Sequence, residues 1–252
     1  MSNVVTFHSF RRGVGKTTLA ANLATLLALK ERRIALVDMD LSSPGIHQFF
    51  GLPDEEIPCS LNDYLWDRCD ILSTVKDVSP RLPVDAKGSL FIIPASNSIP
   101  DIMQSVSKPP NIDCYASGLE KLEKELSLDL ILVDSSAGLN ENTLQTIAVS
   151  SAVVLLLHPN KLDFQGTAVT VDMIRRLQIP AIHLVLNDVS DHLDPDNARR
   201  QLEETYHCGG GVVLKHSEEL MMLSSGYPFV LKYPSRPLTD QISKLAELLS
   251  AS

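Results

Sequence analysis

Short apolar runs recur along the chain: "NVVTF" (3–7), "IALV" (34–37), "LFIIP" (90–94), "LILV" (130–133), "AVVLLL" (152–157), "IHLVL" (182–186) and "GVVL" (211–214). Between them lie stretches of helical periodicity. Runs of strand length without polar alternation belong to strands buried on both faces, which parallel strands with helices on either side provide. The order predicts an α/β fold: a doubly wound, mostly parallel sheet of about seven strands flanked by helices. Helices are expected over roughly residues 16–31, 113–127, 141–150, 163–178, 195–206, 216–224 and 235–250.

With 252 residues, 44% hydrophobic and 21% charged, the chain has the material for one large core and lacks the composition of a disordered protein. We read residues 1–252 as a single domain. The Pro-rich, weakly periodic segment 51–89, with one amphipathic piece at "LNDYLWD", is expected to be an insertion over the sheet's ligand edge. A net charge of −9 disfavours a chain built to coat nucleic acid or an anionic membrane. Cys59, Cys69, Cys114 and Cys208 form no Cys-x-x-Cys pair and follow no signal peptide, which points to reduced thiols and a cytoplasmic protein. No apolar stretch reaches membrane-spanning length.

The stretch "SFRRGVGKTT" (9–18) stands between the first apolar run and the first helical run. In that setting Gly13, Val14, Gly15, Lys16, Thr17 and Thr18 read as a phosphate cradle. Backbone N–H groups at a helix N-terminus point at an anion, and glycine permits their close approach. Lys16 would reach the β- and γ-phosphates and the Thr17 hydroxyl would bind Mg²⁺. A dinucleotide fingerprint is a poorer match, because its third glycine falls at Thr18 and it gives Lys16 no role. The common G-x-x-x-x-G-K-[ST] pattern also fails, since Phe10 stands where its first glycine belongs.

The stretch resembles the deviant phosphate loop of the MinD/ParA family of P-loop ATPases, whose pattern is Lys-Gly-Gly-x-Gly-Lys-Thr-[Thr/Ser]. Gly13, Gly15, Lys16, Thr17 and Thr18 match; Arg11 replaces the signature lysine and Arg12 a glycine. Further motifs follow in the family's order. "IALVDMDLSSPGIHQFFGL" resembles its second strand and switch I, and "LFIIPAS" a later strand. "LDLILVDSSAGL" resembles its Walker B strand with switch II, and "PNKLDFQGTAVTVDMI" and "IHLVLNDVS" its last strands. The likeness spans about residues 3–235 and implies the P-loop NTPase fold with ATP and Mg²⁺ as ligands.

Carried over residue by residue, the resemblance makes Asp134 the carboxylate that orients water on Mg²⁺, with Thr17 and Asp38 beside it. Asp40 becomes the switch-I acid that positions the attacking water, and the backbone from Ser135 to Gly138 the γ-phosphate sensor. Asn187 stands where the base is read. An amide there suits the donor and acceptor edge of adenine, and the aspartate of a guanine site is absent at Ser190. A loop-capping role for Asn187 stays open.

In the family the signature lysine reaches the phosphates of a partner subunit. Arg11 keeps that charge and adds a planar fork, like an arginine finger supplied in trans. Arg12 either adds a phosphate or carboxylate contact or loosens the dimer by its bulk. A solvated pair at a loop rim is the plain alternative for both.

Other constellations are weaker. His207, Cys208 and His216 lack usual zinc spacing. The absence of Cys-x-Cys and Cys-x-x-Cys weakens an iron–sulfur or nickel carrier. The C-terminal "LTDQISKLAELLSAS" departs from a membrane-targeting tail. Arg199, Arg200, Lys215, Lys232 and Arg236 are interspersed with acids, so DNA binding is not favoured. The expectation is an ATP-dependent homodimer that hydrolyses ATP slowly, with a protein partner that stimulates it, serving spatial positioning, partition or regulation of an assembly. The alternative is a nucleotide-sensing adaptor with little or no hydrolysis.

Overall fold

The computed structural model describes residues 3–108, 110–223 and 226–251. Strands β1 (Val4–His8), β2 (Arg33–Met39), β3 (Lys76–Asp77), β4 (Ser89–Ile93), β5 (Leu130–Ser135), β6 (Ala152–Leu157), β7 (Ala181–Val189) and β8 (Val212–Lys215) form one sheet. Their order is β3-β4-β2-β5-β1-β6-β7-β8. All neighbours pair in parallel except β3 with β4. The helices are α1 (Lys16–Leu29), α2 (Ile46–Phe49), α3 (Leu61–Leu65), α4 (Ile99–Ser107), α5 (Ile112–Leu126), α6 (Glu141–Ala148), α7 (Lys161–Arg176), α8 (Pro195–Tyr206), α9 (Glu218–Met222), α10 (Phe229–Lys232) and α11 (Pro237–Ala251).

Every apolar run read from the sequence is a strand. The eighth strand, β3, is a two-residue antiparallel edge inside segment 51–89, too short and polar to leave a hydrophobic run. The expected helices fall within a few residues of their predicted bounds, except that 216–224 contracts to α9, and Ser224 lies outside the described residues. Helix α4 went unread because its pattern is inverted: Asp101 and Ser105 face inward and apolar residues face out.

Strand pleating divides the core. Ile34 and Leu36 of β2 and Val5 and Phe7 of β1 pack toward α1 and α11, whereas Ala35, Val37 and Val4 pack toward α5. On β6, Val154 and Leu156 face the α1 side while Val153, Leu155 and Leu157 meet α7 and α8. With both faces covered, each strand residue meets protein, which is why the runs show no alternation. Segment 51–89 contributes to this core: Val78 and Leu82 join the α1 side, and Leu61, Leu65 and Ile71 the α5 side. The Tyr64 hydroxyl donates to the Cys114 carbonyl at 2.7 Å, tying α3 to α5. We propose that it elaborates a single domain.

Leu36 is fully buried at the centre of the sheet. Leu36→Ala is expected to lower unfolding stability by about 2–5 kcal/mol in urea titrations followed by circular dichroism. A loss below about 1 kcal/mol would contradict the two-sided burial of β2.

Candidate nucleotide site

β1 ends between β5 and β6, where the chain winds away in both directions, and the crevice of a doubly wound sheet opens at such a point. The loop after β1 enters α1 at Gly15, whose φ of 92° suits glycine. A Cβ there would also lie 2.6 Å from Asn187 Nδ2. No side chain caps α1, so its first N–H groups are open to an anion.

Lys16 is 7% exposed, and its Nζ donates to Ser9 Oγ at 3.2 Å. Burial lowers its pKa, opposed by the nearby Asp134 and Asp40 carboxylates. The Thr17 hydroxyl donates to Asp134 Oδ2 at 2.5 Å, while Asp134 Oδ1 is buried without a partner. Asp134 stands in register with Asp38 on the adjacent strand. Burial raises both carboxyl pKa values, with the Asp134 charge adding to the effect on Asp38. The Thr17 hydroxyl and the Asp134 carboxylate, one of whose oxygens is buried and unpartnered, form a hard-oxygen donor set that fits Mg²⁺. Asp38 Oδ2 accepts the Gly45 and Ile46 N–H groups at 2.9 and 3.1 Å, closing the loop after β2.

The two arginines reach opposite sides of the loop. Arg11 Nη1 lies 3.3 Å from Asp163 Oδ1 on α7, an ion pair within the same chain. Arg12 Nη2 donates to Ser42 Oγ at 2.9 Å, and Ser42 Oγ donates to Asp40 Oδ1 at 2.9 Å. Arg12 is thereby linked to the expected water-positioning acid. Phe10 packs on Gly166 of α7, where a Cβ would collide with its ring.

Asn187 Nδ2 donates to the Val14 carbonyl at 2.8 Å, so the amide braces the phosphate loop. With Gly15 and Thr18 it lines a hollow of about 220 Å³ whose other walls include Leu19, Phe49, Leu214 and Ile242. Its walls are largely apolar. Beside it, Asp188 Oδ1 lies 2.6 Å from His216 Nδ1, and that contact raises the imidazole pKa.

Sequence reasoning missed Asp163, Gly166, Ser42 and His8. Asp163 follows Asn160 in a helix-start pattern, and Asn160 Oδ1 does cap the Asp163 N–H at 3.0 Å. That pattern gives no hint of Arg11. His8 is fully buried, with Nδ1 3.0 Å from Ser135 Oγ. Burial, reinforced by Lys16, takes its pKa down to about 3, so it is a neutral strut beneath the loop.

Gly166→Ala is expected to displace Phe10 and weaken nucleotide affinity about tenfold, with recovery in the Phe10→Ala double variant. Fluorescence titration with a labelled ADP measures both; unchanged affinity in Gly166→Ala would remove α7 as an anchor of the loop. His216 is expected to titrate above its ordinary 6.5 by NMR, and to fall back in Asp188→Asn. The pair's contribution is complete below the ordinary pKa and disappears as pH rises through the raised one.

The family model "CobQ/CobB/MinD/ParA nucleotide binding domain" matches residues 5–223. An uncharacterised ATP-binding protein of Methanocaldococcus jannaschii is 24% identical over 250 residues, covering 99% of this chain and 88% of that protein. An iron–sulfur cluster carrier protein of Deinococcus radiodurans is 25% identical over 263 residues, covering 99% and 69% respectively. Among solved structures, the septum site-determining protein MinD of Pyrococcus horikoshii complexed with Mg-ADP superposes with a TM-score of 0.80 at 21% identity, covering 99% of this chain and 96% of that one. A phosphate loop at the sheet's switch point and a family match across most of the chain converge: this chain belongs to the CobQ/CobB/MinD/ParA nucleotide-binding family.

Proposed function

We propose that the chain is a Mg²⁺-ATP-dependent dimerising ATPase switch of the MinD/ParA type, cytoplasmic, with slow hydrolysis stimulated by a protein partner. Spatial positioning, partition or regulation of an assembly is the task this reading gives it. The observation that carries it is the Thr17–Asp134 pair, with a buried unpartnered oxygen, at the uncapped N-terminus of α1. The Mg-ADP held by the Pyrococcus horikoshii MinD and the ATP binding of the Methanocaldococcus jannaschii relative support the same ligands.

Mg²⁺, when bound, would neutralise charge building on the transferring phosphate. The chain's own groups do the rest. Lys16, already desolvated, binds phosphate oxygens in exchange for Ser9. Asp134 and Thr17 would hold the metal and its water, with Asp38 fixing the loop beside them. Asp40, steadied by Ser42, accepts the hydrogen bond of the attacking water. Asn187 Oδ1 accepts from the adenine amine. Arg11 leaves Asp163 to meet the phosphates of a second subunit, and the backbone from 135 to 138 reads the γ-phosphate. Among the described residues no helix is long and apolar enough to cross a membrane. DNA binding is not favoured by the mixed surface charges, and iron–sulfur carriage, the role of the Deinococcus radiodurans relative, lacks a Cys-x-x-Cys pair in this sequence.

One observation favours the adaptor as a second reading: Arg11 is engaged within its own chain, so ATP could be held without a trans finger. Light scattering in ADP–Mg²⁺ and ATP–Mg²⁺ separates the two, together with phosphate release. The switch predicts doubled mass with ATP alone, a persistent dimer in Asp40→Ala, and at least about a hundredfold loss of phosphate release in Lys16→Ala. Tight ATP binding with unchanged mass and no phosphate release would establish the adaptor instead.

A further inference from the structure

Arg12 stands where the family's loop pattern has a glycine, so the reach of its side chain belongs to this chain and not to the pattern. That reach ends on switch I. Arg12 Nη2 donates to Ser42 Oγ at 2.9 Å, and Ser42 Oγ donates to Asp40 Oδ1 at 2.9 Å. Chemistry fixes the direction of this relay. A guanidinium carries donors only, so the Ser42 oxygen must accept from it, and the single hydroxyl proton is left for the carboxylate.

Both ends of the relay are held by backbone. On the loop side, Ser9 Oγ donates to the Arg11 carbonyl at 2.6 Å, and the Gly138 N–H donates to the Ser9 carbonyl at 3.0 Å. Val14, two residues beyond Arg12, is buried, and Asn187 holds its carbonyl. On the switch side, the Asp40 N–H donates to Asp38 Oδ1 at 3.3 Å and the Ser43 N–H to the Asp40 carbonyl at 2.9 Å. The Gly45 and Ile46 N–H groups then close the turn onto Asp38. With the main chain so fixed, the freedom left at Asp40 is in its side-chain torsions. The Ser42 hydroxyl engages Oδ1 and sets them, so that Oδ2 is the oxygen a water can use. Asp40 and Arg12 both lie near enough to Lys16 to act on its ammonium charge, in opposite senses, which puts the relay beside the phosphate cradle.

We propose that Arg12 is a positioning residue for ATP hydrolysis, acting in cis: through Ser42 it aims the Asp40 carboxylate at the attacking water. This role rests on the ATPase reading of the site and deepens it. Arg12 itself touches neither water nor phosphate here, because its guanidinium is committed to Ser42. Loss of the relay frees Asp40 without removing it. Since about 1 Å of misplacement costs about a hundredfold in rate, a carboxylate that is merely loosened costs about tenfold.

Single-turnover phosphate release with ATP–Mg²⁺, alongside titration of a labelled ATP, tests this role. Ser42→Ala changes no charge and is expected to slow release about tenfold while ATP affinity stays within about twofold. Arg12→Gly, which restores the family's residue, is expected to slow release to the same extent. The double variant is expected to be no slower than either, because both substitutions break one relay. Ser42→Thr keeps the hydroxyl and is expected to recover most of the rate. Mixing Arg12→Gly with Asp40→Ala subunits is expected to recover nothing, since each chain then lacks one part of a relay that lies within a single chain. Losses that multiply in the double variant, or an unchanged rate in Ser42→Ala, would remove the role of Arg12 while sparing the ATPase. Recovery on mixing would overturn the assignment in cis. Wild type that binds ATP and releases no phosphate would overturn both the relay and the ATPase reading.

Discussion

Two carboxylates, Asp38 and Asp134, lie side by side without solvent at the ends of neighbouring parallel strands, and the loops around them answer that charge. Buried ions are costly unless paired or hydrogen-bonded. Asp38 is met by the N–H groups of Gly45 and Ile46, which shapes the loop carrying Asp40 and Ser42. Asp134 is met by the Thr17 hydroxyl and approached by the Lys16 ammonium. One oxygen of Asp134 is left over, and a divalent cation would relieve the burden that burial places on both acids.

The departures from the family's loop pattern acquire a physical meaning in this setting. A loop with bulky arginines at positions 11 and 12, where the family has lysine and glycine, gains from external support. It finds it on both sides: Phe10 on Gly166 and Arg11 on Asp163 toward α7, and Arg12 on Ser42 toward switch I. Arg11 is half-exposed, so its ion pair with Asp163 holds it in place more than it stabilises the fold. The same arrangement keeps the guanidinium within this chain, so a role in trans requires exchanging a protein carboxylate for a phosphate. Such an exchange is a two-state element of the sort that a nucleotide can bias.

Much of the architecture was legible because parallel strands buried on both faces must be nearly all apolar. Gly13, Gly15, Lys16 and Thr17 were legible because a phosphate loop needs those residue types in adjacent positions. Helix α4 was not, since a hydrophobic stripe normally marks the buried face, and here Asp101 and Ser105 take that place. Strand β3 was not, because two residues carry no period. Arg11 and Asp163 stand 152 positions apart, and no local pattern joins them.

The sequence by itself determined the sheet class, the phosphate loop and its place after the first strand, because these follow from local spacing of apolar and glycine residues. Only the tertiary structure decided that Asp38 closes a loop, that Asn187 braces Val14, and that Arg11 and Arg12 part toward α7 and switch I. Those assignments depend on strand order and register, which bring distant side chains within hydrogen-bond reach, and neither is written in any one stretch of the chain.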